Sequence, residues 1–203
     1  MVAKVWLVDD DLSVRESLGF LLKTLEYDVA DFADLAAFEA VTQAQEPLRG
    51  CLLLDVRMPG ISGLSWLAEQ GDRHPLLPVI IMTGHGTIDA CRRAFRQGAF
   101  EFYTKPLDIE PLLETIHLAF NESEQRAERW QSQQGLQARF ALLSARETEV
   151  MQLMIAGQTS KEIARDLSLS PRTVEAHRAA VFAKLELNNL AQLIHAWQQL
   201  NLV

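Results

Sequence analysis

The 203-residue sequence predicts a doubly wound α/β domain with a five-stranded parallel sheet, followed by a second, all-α domain. Three observations carry this expectation. Short apolar runs at 5–8, 51–54 and 79–82 alternate with longer stretches of helical period. Those runs are continuous rather than alternating, as a sheet covered on both faces requires. A polar stretch, NESEQRAERWQSQQGLQA at 121–138, then separates this pattern from a purely helical one.

The elements follow in order. Strand 4–8 leads to helix 12–25, where Val14, Leu18, Leu21, Leu22 and Leu25 fall on one face and Asp11 stands ready to cap the first turn. Strand 28–31, helix 34–44, strand 51–54, helix 63–70, strand 79–83, helix 87–96, strand 100–103 and helix 108–121 complete the first domain. The boundaries are a domain at 1–120, a linker, partly helical, at 121–139, and a domain at 140–203. In the second domain Ser144 and Glu147 form an S-x-x-E capping box for a helix over 144–156, with Val150, Leu153 and Met154 at helical spacing, which Gly157 ends. Ser160 opens the next helix, with Ile163, Ala164 and Leu167 apolar. Ser170-Pro171 opens a third, along which Val174, His177, Val181 and Leu185 recur. A fourth spans about 189–200. Only Ser168-Leu169-Ser170 join the second and third, the length of a helix-turn-helix connection.

Composition narrows the function classes. Apolar residues make 48% and charged residues 23% of the chain, which excludes collagen, coiled-coil and extensively disordered classes. No run approaches 18 apolar residues, so no spanning helix is expected. The N-terminal apolar run is too short for a signal peptide and ends in three acids. Cys51 and Cys91 are too few for a disulfide framework and lack zinc-ligand spacing; both are expected as buried thiols, and the chain is expected in the cytoplasm. Charge is uneven. Residues 1–136 carry 12 Lys/Arg against 21 Asp/Glu, whereas 137–203 carry 7 against 6. Within 158–184, five bases (Lys161, Arg165, Arg172, Arg178, Lys184) face three acids. An acidic front and a locally basic back point to two different jobs.

In an open parallel sheet the functional crevice lies at the carboxyl ends of the strands. There the sequence places Asp9, Asp10 and Asp11; Asp55 followed by VRMPG; Thr83 followed by Gly84, His85 and Gly86; and Thr104, Lys105 and Pro106. Clustered carboxylates repel unless a cation sits among them, and a few carboxylates plus water suit Mg²⁺. A hydroxyl and an ammonium aimed at one carboxylate can hold phosphoryl oxygens, and a carboxylate can itself become an aspartyl phosphate. His85 is expected to be a loop histidine beside the rim rather than a phosphoryl relay.

The pieces VDDD at 8–11, LLLDVRMPGISG at 52–63, IIMTGHG at 80–86 and EFYTKP at 101–106 resemble the response-regulator receiver family, a flavodoxin-like fold. The resemblance covers 4–120. It implies Asp55 as the phosphorylation site and a Mg²⁺ ion held by Asp9, Asp10, Asp55 and the backbone carbonyl of Arg57. It implies Thr83 and Lys105 as phosphoryl contacts and Phe102 as the switch aromatic. Many receivers carry Tyr where Phe102 stands, so switching here must run on packing; Tyr103, one residue late, is expected on the opposite face of its strand. The resemblance further implies homodimerisation on the surface carrying Ile88, Cys91, Arg92, Phe95 and Tyr103.

The string from LSARETEV to RTVEAHRAAVFAKL, across 142–187, resembles the LuxR-type DNA-binding domain, and the whole chain resembles a NarL/FixJ response regulator of the FixJ branch. In a helix-turn-helix the later helix enters the major groove. Arg172, Thr173, Glu175, Ala176, Arg178 and Ala179 lie off its apolar stripe. Lys161, Arg172, His177 and Lys184 suit phosphates. Ala176 and Ala179 permit close approach to bases, and Glu175 either accepts from cytosine or serves as a helix-end charge. The partners implied are a sensor histidine kinase, double-stranded promoter DNA, RNA polymerase and a second copy of the chain, with no membrane. The expected output is phosphorylation-controlled transcription, of the activating kind by family habit, with the unphosphorylated receiver expected to inhibit DNA binding. An aspartate-nucleophile phosphohydrolase would need a second acid at Arg57, so no enzyme is expected. An adaptor without DNA output is the other alternative.

Overall fold

A computed structural model describes residues 4–43, 47–70 and 73–201. Its contacts divide the chain into Met1–Glu128 and Arg129–Val203. In the first unit the elements are β1 (Lys4–Val8), α1 (Leu12–Thr24), β2 (Asp28–Phe32), α2 (Leu35–Thr42), β3 (Gly50–Asp55), α3 (Gly63–Gln70), β4 (Val79–Thr83), α4 (Ile88–Arg96) and β5 (Glu101–Thr104). The helix α5 (Ile109–Ala141) begins there and ends in the second unit. The expected end of the second helix, residue 44, lies outside the described residues.

The five strands are all parallel, in the order β2-β1-β3-β4-β5. Every residue of β3 and β4 is buried. The pleat divides them between two cores. Trp6, Val8, Leu52, Leu54, Val79 and Ile81 pack with Phe38 of α2, Leu64 and Leu67 of α3 and Ala94 of α4. Val5, Leu7, Cys51, Leu53, Ile80 and Met82 pack with Leu18 and Leu22 of α1 and with Leu112 and Ile116 of α5. Each such side chain stabilises by about 1.5–3 kcal/mol relative to exposure, and burial on both faces explains the unbroken apolar runs. Burial also pushes the Cys51 thiol far up. Cys91 departs from expectation: it is only half-buried, because it lies toward the exposed start of α4, three residues before Ala94, the buried residue of that helix.

The stretch 121–139 is helix throughout, further than expected. Its Gln, Glu, Arg and Ala are good helix formers. Within the first unit Ala119, Ser123 and Ala127 are buried at four-residue spacing, and the Ser123 hydroxyl accepts the Gly50 N–H at 3.0 Å. Glu122 and Arg126 add an i,i+4 pair.

The second unit holds α6 (Ala145–Ile155), α7 (Ser160–Asp166), α8 (Pro171–Leu185) and α9 (Leu190–Asn201) around Val150, Met154, Ile163, Val174, Val181, Leu185 and Leu193. The Ser144–Glu147 capping box is present. The helix α7 starts at Ser160 as expected, and a second box, Thr159 with Glu162, caps it. Ser170 caps α8 with Pro171 in its first turn. Among the described residues no helix is long and apolar enough to cross a membrane.

Candidate functional site

The strands end on one rim because their registers set Val8 opposite Leu54, Asp55 opposite Met82 and Thr83 opposite Thr104. Asp9, Asp55 and Thr83 are 0%, 4% and 1% exposed, whereas Asp10 is exposed. One carboxylate oxygen each from Asp9, Asp10 and Asp55 lies within 4.8 Å of the others. The Lys105 ammonium donates to Asp9 Oδ2 at 2.6 Å and stands 3.0 Å from Asp55 Oδ1. The backbone N–H of Arg57 donates to Asp55 Oδ2 at 2.8 Å, folding the loop after β3 over the carboxylate. Asp11 caps α1 by accepting the Ser13 N–H, which holds its own carboxyl below the ordinary range and takes it out of the cluster.

Burial raises the Asp9 carboxyl above its ordinary range, with the Asp55 charge adding to the rise, against the bonds from Lys105 and the Asp11 N–H. Burial draws the Lys105 ammonium down, but its bonds to Asp9 and Asp55 outweigh that and leave it raised. Three carboxylates against one ammonium leave an excess of two negative charges among oxygen donors. That donor set fits a hard divalent cation.

Thr83 Oγ1 accepts the His85 N–H at 3.2 Å, which leaves the hydroxyl proton to donate elsewhere. His85 itself is an exposed loop residue. Phe102 packs into the α2–α3–α4 core beside the Gly86 backbone, and Tyr103 packs on the opposite face, as expected. The Tyr103 hydroxyl shares a hydrogen bond with Thr115 at 2.7 Å and donates to the Pro111 carbonyl at 3.0 Å. It is therefore tied to α5, whereas Ile88, Arg92 and Phe95 stand exposed on α4.

One contact at the rim has no counterpart among the sequence expectations. The Arg15 guanidinium donates to the carbonyl oxygens of Asp9 and Asp10 at 2.7 and 3.0 Å. A lone arginine in the first turns of a helix looks like a solvated charge; its position four residues after the cap Asp11, within reach of the preceding loop, was the available signal.

In the second unit Lys161, Arg172, Glu175, Ala176 and Ala179 are exposed and Thr173, His177 and Arg178 half-buried. Glu175 accepts from the Ser160 hydroxyl and pairs with Arg178 at 3.6 Å, so it links the starts of α7 and α8. The Thr173 hydroxyl shares a hydrogen bond with the Ser170 cap. The Lys184 ammonium is turned inward, donating to Glu147 at 2.7 Å and to the Leu142 carbonyl at 3.0 Å.

Comparison with known proteins agrees with this geometry. The family model of the response regulator receiver domain matches residues 5–117, and that of the bacterial regulatory proteins, luxR family, matches 141–197. The chain is 38% identical over 191 residues to the transcriptional regulatory protein FixJ of Bradyrhizobium diazoefficiens, covering 94% of this chain and 92% of that one. Among solved structures, the response regulator StyR is 34% identical with a TM-score of 0.76, covering 98% of this chain and 100% of that one. Full-length FixJ from B. japonicum is 35% identical with a TM-score of 0.57, covering 99% and 98%.

Proposed function

The chain belongs to the two-component response regulators that join a receiver to a LuxR-type DNA-binding domain, and it controls transcription; on that premise we propose that phosphorylation of Asp55 by a sensor histidine kinase is the switch. The observation that carries the proposal is the Lys105 ammonium bridging Asp9 and Asp55 inside the acidic cluster. Asp9, Asp10, Asp55 and the Arg57 carbonyl are the proposed holders of Mg²⁺, which when bound would offset the repulsion between these acids and an incoming phosphoryl group. An Asp55 oxygen attacks phosphorus while the bond from phosphorus to the donor nitrogen breaks, and an aspartyl phosphate results. The added charge of about −2 attracts the Lys105 ammonium and the Thr83 hydroxyl to its oxygens. The loop carrying Gly84, His85 and Gly86 then moves with Thr83, and the Phe102 ring repacks against it. This is a two-state element biased by one local charge.

The proposed output is dimerisation through the α4 face, with Ile88, Cys91, Arg92 and Phe95, and promoter binding through α8. Lys161, Arg172 and His177 serve phosphates there; Thr173, Glu175, Ala176, Arg178 and Ala179 face the groove. The inward engagement of Lys184 favours a packing role for it over a phosphate contact. Recruitment of RNA polymerase and a cytoplasmic setting follow from the same reading, and the phosphoryl chemistry acts on the chain itself as regulation rather than as metabolic turnover.

The test uses the full chain with Mg²⁺ and acetyl phosphate beside Asp55→Asn, on a DNA site selected from random sequence, with sedimentation velocity on the same samples. Wild type is expected to dimerise and to bind about tenfold or more tightly on phosphorylation, while Asp55→Asn does neither. Equal DNA affinity before and after confirmed phosphorylation would overturn the switch.

A further inference from the structure

The ladder between β1 and β2 closes with the Asp9 N–H donating to the Phe32 carbonyl at 3.2 Å. Past that point the carbonyls of Asp9 and Asp10 are held from the α1 side, by one nitrogen, Nη1 of Arg15. The guanidinium is itself oriented. Its Nε faces Asp31 Oδ2 at 3.9 Å, the other Asp31 oxygen lies 3.7 Å from Lys23, and the Arg15 side chain is only 13% exposed. Asp9 has further anchors in Lys105 and the Asp11 N–H. Among the described residues no hydrogen bond or ion pair holds the Asp10 carboxylate, so its aim depends on its backbone.

We propose that Arg15, oriented by Asp31, is a positioning residue for the metal site: it fixes the two peptide planes that aim the Asp9 and Asp10 carboxylates at the rim. This rests on the reading that Asp9, Asp10 and Asp55 hold Mg²⁺. The sign of the effect separates positioning from charge. A cation beside the cluster repels Mg²⁺, so deleting the Arg15 charge by itself would tighten metal binding. Deleting a group that orients ligands weakens it.

Calorimetric titration of the full chain with Mg²⁺ tests this, on wild type, Arg15→Ala and Arg15→Lys, with thermal unfolding of each in the absence of metal. Arg15→Ala is expected to weaken Mg²⁺ binding about tenfold, and Arg15→Lys, which keeps a donor within reach of both carbonyls, to restore most of it. A folded Arg15→Ala that binds Mg²⁺ as tightly as wild type, or more tightly, would overturn the proposal. Should Arg15→Ala not fold, Arg15→Met, which keeps the apolar stem but neither the charge nor a donor, takes its place. Weakened Mg²⁺ binding is again expected, and affinity equal to or tighter than wild type would overturn the proposal. Failure of the wild-type chain to bind Mg²⁺ would instead overturn the metal reading of the acidic cluster.

Discussion

The Glu147 carboxylate accepts from the Lys184 ammonium and from the Ser144 N–H, each at 2.7 Å, and these bonds hold its pKa down at about 2. A carboxyl depressed in the folded state contributes stability that is complete above its unfolded value near 4.5 and is lost as pH falls through about 2. Lys184→Met is expected to cost about 1 kcal/mol at neutral pH, a modest figure because the ammonium is partly exposed. It is also expected to flatten the acid-side loss of protection, read by amide hydrogen exchange in α6 and α8 between pH 5 and about 2.5. An acid-side slope equal to that of wild type would contradict it. This pair also marks a limit of sequence reading. Lys184 looks like a phosphate contact because it lies among bases on the helix expected in the groove, and its partner stands 37 residues earlier. The rim acids were legible because their position at strand ends already states their direction. Arg15 was not, because its contacts are to backbone oxygens that no residue type announces.

Elements meet at Gly63, the first residue of α3, whose N–H donates to the Val56 carbonyl. A Cβ there would lie 2.3 Å from the Asp55 backbone oxygen, and that backbone is fixed between β1 and β4. Gly63→Ala is therefore expected to cost about 1–3 kcal/mol and to slow phosphoryl uptake by displacing Asp55. Gly84→Ala, with nothing within 4 Å of the added carbon, should leave stability within about 0.5 kcal/mol. Urea unfolding of the two variants compares them directly, and equal stability would refute the packing argument. The strands and most helices were legible from period and caps, since burial on both faces leaves unbroken apolar runs. The length of α5 was not. Its apolar residues thin out beyond Phe120, and the burial of Ser123, against the start of the central strand β3, and of Ala127 comes from tertiary packing that a polar composition hides.

Over the whole molecule, charge divides as the work does. The first unit is acidic and gathers carboxylates around Lys105, whereas the second carries its bases along α7 and α8. Both family matches fall inside these regions, and the order of motifs along the chain was enough to reach them before any geometry. The proposed switch is one covalent event, the transfer of a phosphoryl group to Asp55 rather than to Asp9 or Asp10, which share its cluster. Asp9 is bonded in the same way, by the Asp11 N–H and Lys105, and differs from Asp55 in that its side chain is wholly buried whereas that of Asp55 keeps 5% exposure at the rim. The most direct measurement is incubation of the full chain with acetyl phosphate and Mg²⁺, borohydride reduction of the acyl phosphate, and peptide mass spectrometry to find the reduced residue. Mg²⁺-dependent reduction is expected at position 55, and none in Asp55→Asn. Reduction at Asp9 or Asp10, or none anywhere in a wild-type chain that binds Mg²⁺, would contradict it.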